Sequence, residues 1–153
     1  MTKTPSLATS RIYVAIQFVL LSAFAAVILW NPGTALFASP AASMAGNVIG
    51  IAGLLVIALG FLALGRNLQV APHTKEGAHL VQSGIYRVLR HPIYSGIALC
   101  VVGLWLREPT LPAALAGLAV IIFLGMKRRL EERFLLAAYP DYAEYRKRTV
   151  GFP

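Results

Sequence analysis

Apolar residues occur in four long runs along the chain, separated by polar stretches. Residues 12–30 carry no charged side chain over 19 positions, and residues 44–64 carry none over 21. A helix needs about 20 apolar residues to cross the roughly 30 Å of hydrocarbon in a bilayer. Both runs are therefore predicted to be transmembrane helices, and the first is too long for the apolar part of a cleaved signal peptide.

The last two runs are shorter, with 14 apolar positions over residues 93–106 and 16 over residues 111–126. As helices they would reach about 21 and 24 Å, less than the thickness of the hydrocarbon layer. They predict a short helical hairpin. The pattern as a whole predicts one all-α membrane domain over residues 1–153, with about four transmembrane helices and a C-terminal interfacial helix.

Two small features within the apolar runs concern packing. Gly46 and Gly50 form a GxxxG pattern, which is typical of closely packed membrane helices. Cys100 is the only cysteine, so a disulfide or a thiolate metal site within one chain is excluded, and a buried apolar role is expected.

Composition and charge support a membrane location. Hydrophobic residues make up 58% of the chain and charged residues 13%, which is too apolar for an ordinary soluble domain. With both termini in the cytoplasm, all basic residues except Arg107 lie on the inner side, as the positive-inside rule prefers. The net charge of +8 is then explained by anionic headgroups, and no nucleic-acid partner is expected.

Polar chemistry is concentrated in two cytoplasmic stretches, residues 65–91 and 127–153. The first contains the Gly, Pro, Ser and Asn residues typical of a folded loop, and a turn is predicted at Ser83 and Gly84. The histidines His73, His79 and His91 lack metal-binding spacing and no cysteine supports them, so no metal is expected. No Walker loop or strand-linked GxGxxG segment is present, so neither nucleotide hydrolysis nor a Rossmann dehydrogenase is indicated.

The sequence Arg90-His91-Pro92-Ile93-Tyr94 stands where the basic loop enters the third apolar run. Pro92 fits the first helical position, where its missing amide costs nothing, which places His91 at the helix cap. The helix start and Arg90 together favour an anionic group. The alternative is structural, with Arg90 on a lipid phosphate and His91 as a simple cap.

Glu131 and Glu132 follow the fourth run, where positive charge is usual. They are expected to begin an interfacial helix, and because neighbouring helical residues point about 100° apart, one should be functional and the other solvated. Pairing with nearby arginines is the alternative. Tyr142 and Tyr145 are interpreted as anchors at the membrane interface.

A family resemblance rests on the order and spacing of these segments. Residues 79–96 read HLVQSGIYRVLRHPIYSG, and after the apolar hairpin come Glu131-Glu132 and YPDYAEYR at residues 139–146. From about residue 66 to 153 the chain resembles the isoprenylcysteine carboxyl methyltransferase family, and related membrane phospholipid methyltransferases share much of the pattern.

The resemblance implies that residues 66–153 bind S-adenosyl-L-methionine between the loop and the glutamate pair. It implies catalytic roles for Arg90, His91 and Glu132, and substrate-binding roles for Arg90 and Arg128. The implied cofactor-binding residues are Leu80, Val81, Gly84, Tyr86, His91, Pro92, Tyr94, Glu131 and Glu132.

The implied reaction is methyl transfer at the cytoplasmic membrane face to a lipid-like acceptor, either a prenylcysteine-type carboxylate or a phospholipid amine. The short hairpin predicts a reacting centre just below the headgroups. The extra amino-terminal spans of the eukaryotic enzymes are missing, so a minimal version in a prokaryotic inner membrane is expected. Two alternatives stay open: an NADPH-dependent sterol-type reductase, whose family shows a similar Arg-His-Pro-x-Tyr turn, and a noncatalytic membrane scaffold.

Overall fold

The structure, a computed structural model, describes residues 7–30, 33–65 and 80–151. Its regular structure over these residues consists of helices, including one 3₁₀ helix at Gly84–Arg87. The α-helices are α1 (Leu7–Trp30), α2 (Pro40–Leu64), α3 (Pro92–Arg107), α4 (Leu111–Ala138) and α5 (Tyr142–Lys147). Helices α1, α2 and α4 are long and apolar enough to cross a membrane, whereas α3 has 16 residues. The protein is an all-α membrane protein, as predicted.

Capping residues determine where two of the helices begin. The Ser39 hydroxyl accepts a hydrogen bond from the Ala42 amide at 3.3 Å, and Pro40 follows as the first helical residue. Helix α2 therefore starts four residues before the predicted position 44. Thr110 caps α4 in the same way, accepting from the Ala113 amide at 3.4 Å. These side chains satisfy amides that the first helical turn leaves unpaired.

Helix α4 is much longer than its apolar run. It continues without a break from the predicted end at residue 126 to Ala138, giving 28 residues, or about 42 Å. The hairpin is thus unequal, with a short α3 and a long α4, and the glutamate pair lies inside α4 instead of starting a separate helix. Arginine, leucine and glutamate are good helix formers, so the helix persists where the hydrophobicity ends.

Helices α2 and α3 pack backbone against backbone through glycines. A Cβ atom placed on Gly46 would lie 2.5 Å from the Gly103 carbonyl oxygen, and one on Gly53 would lie 2.7 Å from that of Gly96. Since real Cβ contacts are never so short, each position requires glycine. The close packing predicted from the GxxxG pattern is confirmed, because a Cβ atom placed on Gly103 would lie 2.6 Å from the Gly50 nitrogen.

A small apolar core joins α1, α3 and α4. It is formed by one residue of α1, two of α3 and two of α4: Phe24, Tyr94, Val101, Val120 and Leu124. This core holds the first turn of α3 beside the second half of α4. The polar ends of both helices therefore meet at one end of the bundle.

The chain after α4 folds back onto the segment that precedes α3. The Val150 amide donates to the Val88 carbonyl at 2.8 Å, and the Arg90 amide donates to the Val150 carbonyl at 3.0 Å. The Tyr145 hydroxyl donates to the Tyr86 carbonyl at 2.8 Å. The C-terminal segment thereby fixes the residues that lead into α3.

Candidate active site

The His91 ring is turned towards α4. Pro92 is the first residue of α3 and His91 directly precedes it, as predicted, but the imidazole makes no capping hydrogen bond. Its Nε2 atom lies 3.2 Å from Glu132 Oε1 instead. Both side chains are buried, with exposed fractions of 7% and 8%. The role of a simple helix cap therefore does not describe this histidine.

Tyr94 contacts both His91 and the other glutamate of the pair, Glu131. Its ring stacks on the His91 ring with centroids 5.6 Å apart and planes 3° from parallel. His91 directly precedes α3 and Tyr94 lies in the first turn of that helix, so the two rings start from neighbouring positions of the chain. The Tyr94 hydroxyl donates to Glu131 Oε1 at 2.6 Å, so the second glutamate of the pair is engaged as well.

Both glutamates face the cluster, so the expectation that one of them is solvated is wrong. Glu132 approaches one edge of the His91 ring, while Glu131 Oε2 lies 4.0 Å from Nδ1 on the other edge. Neighbouring residues on a helix point about 100° apart, so Glu131 and Glu132 leave α4 in different directions. The stacked rings of His91 and Tyr94 are together wide enough to contact both carboxylates. We refer to His91, Tyr94, Glu131 and Glu132 as the carboxylate cluster.

Two arginines border the carboxylate cluster. Arg90 Nε lies 3.5 Å from Glu132 Oε1, and its Nη1 donates to the Arg146 carbonyl at 2.8 Å. A Cβ atom on Gly151 would contact Arg90 Nη2 and would lie 3.2 Å from Arg128 Nη1. Both guanidinium groups therefore converge at Gly151. Positive charge lies directly beside the Glu132 carboxylate.

Tyr142 and Tyr145 are not interface anchors, because both are buried, with exposed fractions of 1% and 2%. Burial raises the pKa of Tyr145 to about 12, and burial followed by the nearby charge of Glu132 raises that of Tyr142. Both hydroxyls therefore stay protonated at neutral pH. Among the described residues, the Tyr142 hydroxyl has no hydrogen-bond partner, which leaves a buried donor next to the cluster.

The remaining predicted residues lie on the segment before α3. Gly84 has a φ of +58° at the predicted turn, and a Cβ there would be 3.2 Å from Ala63 Cβ. Burial, with Tyr145 and Glu131 nearby, raises the pKa of Tyr86. Leu80 and Val81 are half-buried, and their cofactor contacts stay a prediction. Loop residues 66–79, including His73 and His79, lie outside the described residues.

The segment that contains this cluster matches a family of known proteins. Residues 41–142, two thirds of the 153-residue chain, match the family described as Phospholipid methyltransferase (PEMT). The chain belongs to this family. It comprises membrane methyltransferases like isoprenylcysteine carboxyl methyltransferase, so the resemblance seen in the sequence is confirmed. The matched segment contains α2 without its first residue, α3 and α4 with the entire carboxylate cluster, and leaves α1 outside.

A curated relative of this PEMT-family chain is the Cobalt-zinc-cadmium resistance protein CzcN of Cupriavidus metallidurans. The two are 39% identical over 74 residues, which is 48% of this chain and 34% of the relative. The chain thus spans about a third of the length of the relative that it matches.

Two polar residues at the candidate site were not predicted from the sequence. By its position in the sequence Lys127 is one of several cytoplasmic charges, yet the residue is 4% exposed and its Nζ lies 3.9 Å from Glu131 Oε1. Gln17 on α1 accepts a hydrogen bond from Lys127 at 2.7 Å. Two features of the sequence could have indicated these residues. Lys127 and Glu131 have the i, i+4 spacing of a helical ion pair, and Gln17 is an amide within an apolar run.

An open pocket of about 340 Å³ lies at the other end of α3, away from the carboxylate cluster. It is bordered by the residues before α2 and by the turn between α3 and α4, including Ser39, Arg107 and Pro109. None of the predicted site residues of the PEMT-family chain lines it. The polar chemistry of the cluster, not the size of this pocket, identifies the candidate site.

Proposed function

We propose that the protein is an S-adenosylmethionine-dependent methyltransferase that acts on a lipid-like acceptor at the cytoplasmic membrane face. The observation that carries this proposal is the pairing of His91 with Glu132 and of Tyr94 with Glu131 inside the PEMT-matched segment. A buried group of this kind at one end of a membrane bundle is expensive and marks a site of function.

The residues around the cluster fit the chemistry of S-adenosylmethionine, which supplies a methyl group on an already activated sulfonium. Arg90 would hold the carboxylate of the cofactor, and Glu132 would accept hydrogen bonds from its amino or ribose groups. The buried Tyr142 hydroxyl, which has no partner among the described residues, supplies a further donor. Tyrosine ring faces would attract the positive sulfonium.

Two acceptor classes make different demands on the carboxylate cluster. A prenylcysteine-type carboxylate is ionised at neutral pH and needs only orientation. A phospholipid ammonium must first lose a proton, and His91 or one of its two flanking glutamates would accept it. Both classes are retained in the proposal.

The length of α3 supports access from the membrane. The carboxylate cluster lies at the first turn of a helix of 16 residues, or about 24 Å, so it is close to one membrane surface. A soluble donor would enter from the aqueous side, and an acceptor with an acyl or prenyl chain would enter from the bilayer. The greater length of α4 leaves the cluster near the same surface, because the cluster lies at the start of α3.

Charge supports the proposed orientation. In the described residues, the arginines near the carboxylate cluster and the basic residues of α5 lie at the site end of the bundle, whereas Arg107 lies at the far end of α3. By the positive-inside rule, this distribution supports a cytoplasmic location of the site end. We propose a prokaryotic inner membrane with both termini cytoplasmic.

Ligand binding tests the proposal. Calorimetric titration of the detergent-solubilised protein with S-adenosylmethionine, S-adenosylhomocysteine and NADPH should show binding of the two methionine-derived ligands alone. Glu132→Gln and His91→Ala should weaken that binding about ten- to hundredfold, as expected for lost hydrogen bonds to charged groups. Glu144→Gln is the matched control, since Glu144 is exposed on α5 and pairs only locally with Lys147.

Selective NADPH binding would support the reductase alternative, and unchanged affinity in both cluster variants would contradict the proposed site.

A second assay addresses the acceptor, using transfer of a radiolabelled methyl group to extracted lipids. A hydrophobic tail on the acceptor should increase the rate. Methylation of fully water-soluble acceptors alone would refute the lipid-entry proposal.

A further inference from the structure

Lys127 is enclosed where a lysine would ordinarily reach water. Its side chain is 5% exposed at the point where α4 passes α1. Lysines near membrane surfaces usually extend their long stem so that the ammonium meets headgroups. An ammonium that stays inside the bundle needs partners there.

The partners of Lys127 connect two parts of the molecule. Its Nζ donates to Gln17 Oε1 at 2.7 Å and lies 5.3 Å from the centre of the Tyr94 ring. It is also 3.9 Å from Glu131 Oε1, the same oxygen that accepts from the Tyr94 hydroxyl. Lys127 therefore joins α1 to the carboxylate cluster.

Gln17 is a costly residue in its position. It lies in the apolar run of α1, where an amide side chain is unfavourable unless it forms a hydrogen bond within the protein. Its carbonyl oxygen is used by Lys127. Helix α1 lies outside the segment that matches the family, so family membership does not assign this contact.

We propose that Gln17 is a positioning residue of the site, which holds the Lys127 ammonium against Glu131 and Tyr94. This inference rests on the proposed methyl transfer. The lysine stem has four rotatable carbon–carbon bonds and can adopt many conformations. The hydrogen bond to the Gln17 amide favours the conformation in which the ammonium lies beside the Glu131 carboxylate. Without it the ammonium would be free to turn towards the headgroups, and Glu131 and Tyr94 would lose a fixed neighbour.

Amine labelling tests the contact independently of catalysis. The protein in nanodiscs is treated briefly with acetic anhydride, and mass spectrometry compares acetylation of Lys127 with that of Lys147, whose side chain is 73% exposed. Lys127 should be protected in the wild type and in Gln17→Glu, which keeps an acceptor oxygen. In Gln17→Leu its labelling should rise severalfold. Tyr13→Phe is the control, because it keeps the ring that stacks on Phe123 between α1 and α4.

Kinetics test the consequence for the site. Gln17→Leu should lower kcat about tenfold, the effect of one lost hydrogen bond to a charged group, with little change in KM for the methyl donor. Gln17→Glu should recover most of the rate, and Tyr13→Phe should retain all of it. Wild-type labelling or wild-type kcat in Gln17→Leu would overturn the inference. If the wild type transfers no methyl group, the proposed function fails, and the labelling result still decides whether Gln17 holds Lys127.

Discussion

His91 stands between two carboxylates, with Glu132 on its Nε2 edge and Glu131 near its Nδ1 edge. Stacking on Tyr94 fixes the plane of the ring, and the two glutamates fix its rotation within that plane. An imidazole held in this way keeps one ring nitrogen close to each glutamate. Its removal would leave the buried Glu132 and the partly buried Glu131 without the ring that lies between them, which like-charge repulsion disfavours.

Tyr142 offers a test that separates binding from stability. Because its buried hydroxyl has no partner among the described residues, Tyr142→Phe should leave the free energy of unfolding unchanged or slightly higher. The same change should weaken S-adenosylhomocysteine binding about tenfold if the hydroxyl donates to the ligand. Thermal unfolding with and without this ligand measures both effects.

Tyr145→Phe is the matched comparison for this test. Its hydroxyl donates to the Tyr86 carbonyl, so its loss should cost about 1 kcal/mol of stability even without ligand. A Tyr142→Phe protein that loses stability and keeps its affinity would contradict a role in ligand binding.

The family resemblance predicted Arg90, His91, Tyr94, Glu131 and Glu132, which the structure brings together. It could not reveal Lys127 or Gln17, since a lysine in a basic stretch looks like any juxtamembrane charge. Only the approach of α1 to α4 turns Lys127 inward. Burial of a polar residue depends on what packs over it, and the local sequence does not contain that information.

At the scale of elements, the contact between α2 and α3 depends on individual glycines. A Cβ on Gly53 would lie 2.7 Å from the Gly96 carbonyl oxygen and 2.9 Å from the Cys100 nitrogen, and backbone atoms cannot move away cheaply. Gly53→Ala should therefore lower the free energy of unfolding by about 1–3 kcal/mol, the usual cost of overpacking. Denaturant unfolding in detergent, followed by circular dichroism, measures it.

Gly50→Ala is the control on the same helix. A Cβ at Gly50 meets no heavy atom within 4 Å, so alanine should be neutral or stabilise α2 by up to about 1 kcal/mol. Equal effects of the two substitutions would show that helix propensity, not the α2–α3 contact, governs stability here.

The sequence predicts that the four helices exist more accurately than it predicts where each one begins and ends. All four apolar runs form helices, but α1 and α2 start earlier than their runs and α4 ends twelve residues later. Hydropathy records where a segment contacts lipid, whereas a helix ends where backbone hydrogen bonds can no longer continue. At α4 that point comes before Pro140, which disfavours a helical conformation of the preceding residue.

At the scale of the whole molecule, the C-terminal segment closes the site by backbone pairing. The Val150 amide donates to the Val88 carbonyl, while its side chain is 61% exposed. Val150→Pro removes that donor, so hydrogen exchange over residues 84–90 should become faster and S-adenosylhomocysteine binding weaker. Val150→Ala keeps the amide and should behave like the wild type. Unchanged exchange in the proline variant would mean that this pairing does not hold the segment.

The sequence by itself determined the membrane class, the approximate positions of the helices, the family and most residues of the candidate site. These follow from the length of apolar runs, from charge and from motif spacing, which are properties of the chain read locally. Tertiary structure decided that both glutamates meet one histidine, that Tyr142 and Tyr145 are buried, and that Gln17 reaches the site through Lys127. Such contacts join residues distant in the chain, and they exist only once packing has placed α1, α3 and α4 side by side.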